Sequence, residues 1–499
     1  MGAAAFLVGF PLACVFLDRS AALTTRSGLV TAVFFGELTT VAVGGYWLYH
    51  AANGFFGKTP LTSLLFTGVV TLTHAGLFIG FGVFTASRLT RLPAALRILG
   101  FASSWTAWEL ARSKLLYGCP WDLLGHAFSR SPALMQLTAV GGVYALSFLA
   151  AASGSALGIG WMAWRRGENG WRWMLAGILV PAAAWVGGTL ALPREKPSVP
   201  AASLATDAMS SADTLRVAIV QTAIGKRELW EEGLRAVHLD RFDRLSRRTA
   251  GQGVDLVVWA ENAVPFVLDA HPEVVERLQN LSDELGAAVL LGAPRSENRG
   301  DGKGRLYNSI YFFRPGERDY TAYDKTRLLP YIESIPEFAR PFFSRSIGIE
   351  YSAGVSQQML ELDGWRIAPL ICFESTYPEL ATESAARGAD LLVNVSNDAW
   401  FDRGAAAEQH FAMSLFRAPE IRRPLVRVAN GGVSAAIDPF GRILASPAPR
   451  SDAVEIVDIQ RPPQVRTWYS LTGDAFAWAC ALLTAVLLGA ARRQHPSPR

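Results

Sequence analysis

A glutamate, a lysine and a cysteine, each at the end of an apolar run or in a turn beyond one, can together open an ester or amide bond. Glu261 closes Leu256-Val-Val-Trp-Ala-Glu261, Lys325 sits in the polar turn Tyr323-Asp-Lys-Thr-Arg327, and Cys372 ends the run in Ala368-Pro-Leu-Ile-Cys-Phe-Glu374. Apolar runs of this length read as buried strands. Strand ends are where reactive side chains emerge from the sheets of α/β proteins. A thiol attacks as the thiolate, so it needs a base or a positive charge nearby. Glu261 can take the proton once its site is desolvated. Lys325 would favour the thiolate and then hold the negative oxygen of a tetrahedral intermediate. Taken singly, each residue also has a plain structural reading. Cys372 would be a buried core thiol, and Glu261 with Lys325 a salt bridge locking strand ends.

Glu261, Lys325 and Cys372, in that order and those contexts, resemble the catalytic triad of the nitrilase (carbon–nitrogen hydrolase) superfamily. Tyr331-Ile-Glu-Ser-Ile-Pro336 follows the lysine and Asn397-Asp-Ala-Trp-Phe401 follows the cysteine. With apolar helices on both sides of the domain, these narrow the resemblance to the bacterial apolipoprotein N-acyltransferases. It covers nearly the whole chain, from about Gly45 to the last apolar helix.

The resemblance implies that an acyl chain passes from the sn-1 ester of a phospholipid to Cys372, leaving lysophospholipid and a thioester. The α-amine of a diacylglyceryl-cysteine at the N-terminus of an apolipoprotein then accepts it, with Glu261 taking the amine proton. The partners implied are a phospholipid acyl donor, a diacylglyceryl apolipoprotein acceptor and membrane lipids; no metal or organic cofactor is needed. Glu333 matches the family's glutamate beyond the lysine and Glu374 the one beyond the cysteine; both have an alternative as ordinary surface carboxylates. The backbone N–H of Phe373 is implied as a second donor to the oxyanion. The family often has tyrosine at that position, so a hydroxyl is missing here. Trp230 and Trp400 match tryptophans near the active-site mouth, with core or loop packing as the other reading.

The elements that must position these residues fall into two kinds. Half of the 499 residues are hydrophobic and only 18% are charged, below the quarter usual in soluble domains. A net charge of +4 gives no argument for nucleic acid. Cys14, Cys119, Cys372 and Cys480 show no paired spacing, so neither a disulfide framework nor a zinc site is expected. Apolar segments run over Ala3–Leu17, Gly28–Tyr49, Leu61–Ser87, Pro93–Leu110, Ser131–Trp164, Trp173–Leu192 and Asp474–Ala491. Crossing a bilayer takes roughly 20 residues, which leaves the first marginal.

Arginines occupy alternate loops. Arg19 and Arg26 lie in the first, Arg88, Arg91 and Arg97 in or beside the third, and Arg165, Arg166 and Arg172 in the fifth, while Arg492, Arg493 and Arg499 follow the last helix. Those loops face the cytoplasm by the positive-inside rule, with Arg112 and Lys114 as exceptions on the other side. The expectation is a multi-pass protein of the bacterial inner membrane with its catalytic domain on the periplasmic side. Seven helices with an outer N-terminus stand against the family's eight, so a first helix missing, or a start codon placed late, is expected.

The fold class expected is a multi-pass α-helical membrane domain plus an α/β nitrilase-like α-β-β-α sandwich. The boundaries are 1–192 for the membrane domain, 193–213 for a Pro/Ser/Ala-rich linker, 214–460 for the catalytic domain, and 461–499 for a last helix and tail. On the membrane side, Gly45-Tyr-Trp-Leu-Tyr-His50, Gly118-Cys-Pro-Trp-Asp-Leu-Leu-Gly125 and Gly142-Val-Tyr-Ala-Leu-Ser-Phe148 look like the family's motifs, or like an interfacial aromatic belt. Glu109 is either functional or paired with Arg112. Tyr331–Pro341 and Trp400–Ala407 are candidate lids, and Phe342 and Phe343 either dip into lipid or join a core. Two rival functions remain: a membrane-tethered amidase or nitrilase hydrolysing a C–N bond, and an inactive module that gathers lipoproteins. The several apolar helices argue against the first, since a tether needs only one. The complete triad argues against the second.

Overall fold

The computed structural model describes residues 45–116, 118–194, 213–225, 228–297, 304–337, 340, 349–401 and 405–493. The segment Ala3–Leu17, nearly all of Gly28–Tyr49, Cys14, Arg19, Arg26, the linker interior, Phe342, Phe343 and Arg499 lie outside them. The chain divides into two compact units. One comprises the residues up to Tyr49, Pro60–Pro193 and Thr467 onward; the other comprises His50–Thr59 with Arg194–Arg466.

In the second unit, β1 (Thr214–Gln221) is buried from Val217 onward. Strands covered on both faces tolerate apolar runs without alternation, as parallel central strands do. β2 (Leu256–Val258) and β3 (Ala288–Glu297) join β1 in parallel. Each follows a helix, Arg235–Ser246 or Pro272–Leu285. β4 (Arg305–Phe313) and β5 (Thr321–Asp324) return antiparallel.

The second sheet repeats the plan. β6 (Leu360–Leu362) runs antiparallel to β7 (Trp365–Ile371), which begins a parallel trio with β8 (Leu391–Asn397) and β9 (Leu425–Asn430). β10 (Ala435–Ile437) and β11 (Ile443–Ala445) close that edge antiparallel. β12 (Ala453–Gln460) crosses back to pair with β1. The result is two six-stranded sheets, ordered β12-β1-β2-β3-β4-β5 and β11-β10-β9-β8-β7-β6. They meet where β1 packs on β9 and β4 on β7, which makes the α-β-β-α sandwich.

Helix Pro272–Leu285 shows why the outer layers form. Proline takes its first turn, where the missing N–H costs nothing, and Gly286 at φ 60° ends it in the left-handed conformation. Its inner side lays Leu278 and Leu281 beside Leu239, Phe242 and Leu245 of the neighbouring helix, over Val257, Trp259, Val289 and Phe313. Each such side chain contributes about 1.5–3 kcal/mol on burial. β5, β6 and β11, of three or four residues each, carry too little periodicity to be read from the sequence. Helix Pro378–Ala386 follows the cysteine turn.

Among the described residues of the first unit, three helices are long and apolar enough to cross a membrane: Thr138–Arg165, Trp171–Ala191 and Ala475–Arg493. Ile178, Leu179, Val180, Trp185 and Val186 of Trp171–Ala191 are all exposed, as are Trp478, Leu482 and Val486 of Ala475–Arg493. Such apolar faces suit hydrocarbon, not water. The chain is a membrane protein. Within the described residues, three expected segments depart from a single unbroken apolar helix. Residues 60–89 run through Pro60–Thr71, a π-helical turn at Leu72–Gly76 and Leu77–Leu89. Ala94–Lys114 is 21 residues long but carries Arg97, Glu109, Arg112 and Lys114. The expected Ser131–Trp164 helix is split into Pro132–Met135 and Thr138–Arg165, the latter interrupted at Gly141 and Gly142. Gly142 has φ 62°, and a side chain there would meet the Tyr469 ring at 2.4 Å. Glu109 holds the segment after Trp121: its Oε1 accepts Leu124 N–H at 2.7 Å and the Trp105 indole at 2.9 Å. Arg112 donates to the Asp122 carbonyl at 3.1 Å.

Candidate active site

Glu261 was expected at a strand end. β2 ends at Val258, one Trp259 N–H bond to Leu290 O extends it, and Glu261 lies in the turn beyond. The turn rests on Gly292 of β3. A Cβ at Gly292 would sit 2.6 Å from Glu261 Cα and 2.7 Å from Asn262 N. Overpacking of this kind costs about 1–3 kcal/mol. Gly292→Ala is therefore expected to lower stability by that amount and to displace Glu261. Thermal unfolding would check the first effect and the structure of the variant the second.

Lys325 follows β5, with its N–H on Asn308 O at 2.9 Å. Its ammonium is fully buried, 2.9 and 2.8 Å from the two oxygens of Glu333 and 3.8 Å from Glu261 Oε1. Asn308 of β4 donates through one amide nitrogen to both carboxylates, at 2.7 Å to Glu261 and 2.9 Å to Glu333. The other Glu261 oxygen accepts Asn397 N–H at 2.7 Å, and Glu333 Oε2 accepts Leu329 N–H at 2.7 Å. Two carboxylates thus share one lysine and one amide.

Cys372 was expected within a strand ending at Glu374. The strand instead stops at Ile371, because Cys372 takes φ 52° and starts the turn Cys372–Thr376. A β-ladder cannot continue through a left-handed residue, and for a non-glycine residue that backbone is strained. The sharp turn leaves the thiol at the head of the strand. Burial raises the Cys372 thiol well above its usual range; Glu261 adds to that and the Lys325 ammonium opposes it. Burial also raises Glu261, with Lys325 pulling back. Burial pushes Lys325 down, but the neighbouring carboxylates, Glu333 before Glu261, outweigh it and keep it protonated. The resting site therefore pairs a neutral thiol with a carboxylate of enhanced basicity, as general-base activation requires.

Glu374 is no surface carboxylate. Its Oε1 accepts Tyr323 OH, Thr326 N–H, Thr326 OH and Arg327 N–H at 2.7–3.1 Å, and its Oε2 accepts Ile371 N–H at 2.8 Å. It fastens the cysteine turn to the lysine turn. Glu374→Ala leaves these buried donors unmet, at roughly 1–3 kcal/mol each where water cannot reach. Chemical denaturation is expected to show a loss of several times the effect of Glu374→Gln, which keeps one acceptor.

Phe373 is buried against Tyr377, ring centroids 5.2 Å apart and nearly perpendicular. Trp400 is buried, 3.9 Å from Phe401 and 6.5 Å from Phe56 between ring centroids. Trp230 is half-buried against the apolar core beneath helix Arg235–Ser246. In the described parts of the two expected lids, Tyr331, Ile335, Trp400, Ala406 and Ala407 are buried.

Sequence reasoning missed Asn308 and a second buried group behind the cysteine: Asp398, His410 and Arg427. The signal was present, since Arg427 interrupts Leu425-Val-Arg-Val-Ala-Asn430 and Asn308 interrupts an equally apolar run. A charged residue inside a buried strand needs built partners. Cys372, Asp398 and His410 place a possible ligand atom each within 4.8 Å of one another. The Arg427 guanidinium already holds both polar partners, 2.8 Å from Asp398 Oδ2 and 3.1 Å from His410 Nδ1. That supplies internally the positive charge a metal would bring.

Residues 216–468, the sandwich that holds the buried Cys372 at a strand head, match the Carbon-nitrogen hydrolase family model. Residues 1–156 match the Apolipoprotein N-acyltransferase N-terminal domain. An apolipoprotein N-acyltransferase of Azotobacter vinelandii is 32% identical over 92% of this chain and 86% of its own length. Those of Geobacter metallireducens (32% over 80% of this chain and 74% of that one) and Brucella melitensis (33% over 84% and 77%) are similarly close. The chain belongs to the apolipoprotein N-acyltransferase family. Among solved structures, a CN-hydrolase superfamily protein of Xanthomonas campestris aligns with TM-score 0.39 at 21% identity, over 55% of this chain and 97% of that one.

Proposed function

We propose that this chain transfers an acyl chain from a membrane phospholipid to the α-amine of the N-terminal diacylglyceryl-cysteine of apolipoproteins. Glu261, Lys325 and Cys372 carry the reaction. Glu261 takes the thiol proton as sulfur attacks the sn-1 ester carbonyl. Lys325 and the Phe373 N–H hold the oxyanion. The carbon–oxygen bond breaks, Glu261 returns its proton to the departing lysophospholipid oxygen, and a Cys372 thioester remains. The acceptor amine then attacks the thioester carbonyl, Glu261 takes its proton, and the carbon–sulfur bond breaks to release the amide and restore the thiol. Glu333 holds Lys325 in place, and Trp230 and Trp400 are proposed to contact substrate. The protein sits in the bacterial inner membrane as a multi-pass chain with the catalytic domain on the periplasmic side. The arginines of alternate loops support that orientation.

One observation favours transfer over a membrane-tethered amidase: outside the hydrolase domain the chain matches the N-terminal domain of apolipoprotein N-acyltransferases over residues 1–156. The test is intact-mass analysis of the detergent-purified protein incubated with phospholipid. An added acyl mass, discharged by a diacylated lipopeptide, is expected. A folded protein that forms no adduct but releases ammonia from small amides would reverse the choice.

A further inference from the structure

The carbonyl of Cys372 accepts three hydrogen bonds. Ser375 Oγ donates at 2.9 Å, Asn394 Nδ2 at 3.3 Å and His410 Nε2 at 3.2 Å. The donors come from three different elements: the turn after β7, β8 itself and helix Ala406–Leu415. One side chain organises all three. Arg427 Nη1 donates to Asn394 Oδ1, which turns that amide's nitrogen towards Cys372. The same Nη1 donates to Ser414 Oγ at 3.1 Å, and Ser414 Oγ lies 2.6 Å from Ser375 Oγ. Arg427 Nη2 lies 3.1 Å from His410 Nδ1 and 2.8 Å from Asp398 Oδ2.

The proton positions follow from these contacts. A carbonyl only accepts, so the His410 proton facing Cys372 is on Nε2; Nδ1 lies between the Arg427 Nη2 donor at 3.1 Å and the Asp398 Oδ1 acceptor at 3.0 Å. Burial and then the Arg427 charge hold His410 below the usual histidine range, which keeps it neutral. Burial pushes Asp398 up, but the Arg427 charge, with a hydrogen bond from Ser396, pulls it down to about 2, so it remains the counter-ion. Asp398 Oδ1 also accepts Ser396 Oγ at 2.7 Å.

We infer that Arg427, acting through His410, Asn394 and Ser375, is the positioning device for the nucleophile turn: three aimed donors hold Cys372 in its left-handed conformation and polarise the Cys372–Phe373 peptide. Hydrogen bonds to a peptide carbonyl strengthen the same peptide's N–H as a donor. The N–H concerned is that of Phe373. The inference rests on the acyl-transfer reading above, in which this N–H faces the oxyanion. His410 is thereby a donor to backbone and not the base for Cys372, although a ring nitrogen lies within 4.8 Å of the sulfur.

The experiment compares His410→Phe with His410→Gln in the full-length protein, following acylation by phospholipid. Losing a donor whose bond matters only in the transition state lowers rate and leaves ground-state binding alone. His410→Phe is expected to lower kcat by roughly tenfold to a hundredfold, with KM for phospholipid within about twofold of wild type. His410→Gln keeps an N–H donor but cannot act as a base, and is expected to recover most of the loss. A Gln variant as slow as the Phe variant, a Phe variant as fast as wild type, or a change confined to KM would overturn the inference. If His410→Phe does not fold, selective nitrogen-15 labelling of wild-type histidines decides instead. His410 should show a neutral ring with the proton on Nε2 at about pH 7; a proton on Nδ1, or a charged ring at that pH, would sink it. The same spectrum judges the assembly if wild type forms no adduct, an outcome that would count against the transfer reading alone.

Discussion

Cys372→Ala is expected to abolish the acyl adduct and to reduce turnover by about 10⁴- to 10⁶-fold, the range seen when a covalent nucleophile is removed. The fold should survive. The alanine methyl fills part of the space of a small side chain that is already buried. The cost is that of one lost sulfur contact and a small cavity, about 1 kcal/mol. Cys372→Ser separates nucleophilicity from position. A serine hydroxyl at the same turn is far harder to deprotonate, and Glu261 is tuned for a thiol. The variant should bind phospholipid, acylate barely, and hold as an ester any acyl group it takes. Intact mass, hydroxylamine sensitivity and a thermal melt read all three. Acyl mass on the alanine variant at the wild-type rate would remove Cys372 from the mechanism.

Lys325→Met is expected to be the most damaging change for stability and almost as damaging for activity. The ammonium is the counter-ion of Glu333 and lies 3.8 Å from Glu261, and the lysine is completely buried. Removing one partner of a buried ion pair costs about 3–5 kcal/mol, because the charge left behind has neither water nor a counter-ion. Activity should fall by on the order of 10³-fold or more, since the proposed mechanism loses an oxyanion donor and the charge that opposes the thiolate. The sign of the pH effect follows. Burial already raises Glu261, and Lys325 is what pulls it back. Without the lysine its folded-state pKa rises further above the unfolded value. Such a group contributes stability that is present below the unfolded pKa and lost as pH rises through the folded one. The gap in melting temperature between variant and wild type should therefore be widest near neutral pH and narrow as pH falls towards the carboxylate range. A gap that stayed constant or widened on acidification would mean that the two glutamates do not carry the buried charge.

Much of this site is legible in the amino-acid order. Apolar runs with a carboxylate, a lysine and a cysteine at their ends mark Glu261, Lys325 and Cys372, because strand cores must be apolar and strand ends need not be. The same logic finds the membrane helices Trp171–Ala191 and Ala475–Arg493, whose length and apolarity follow from the thickness of a bilayer. Glu333 is also legible, but only through the motif around it.

Other features exist only once the sheets are assembled. Asn308 can join Glu261 to Glu333 because β4 lies beside β3, which brings residues 47 and 25 positions apart onto one amide. Glu374 looks like a surface carboxylate until the cysteine turn and the lysine turn meet over it, 48 positions apart, in a place without water. Arg427 reads as an oddity in an apolar strand until β8, β9 and helix Ala406–Leu415 converge behind Cys372. Local sequence sets which residues lie at strand ends, since pattern and chain stiffness act over a few residues. Which of them share a proton or a charge is decided by sheet order and burial, because only the folded interior brings distant groups within 3 Å and excludes the water that would otherwise satisfy each alone.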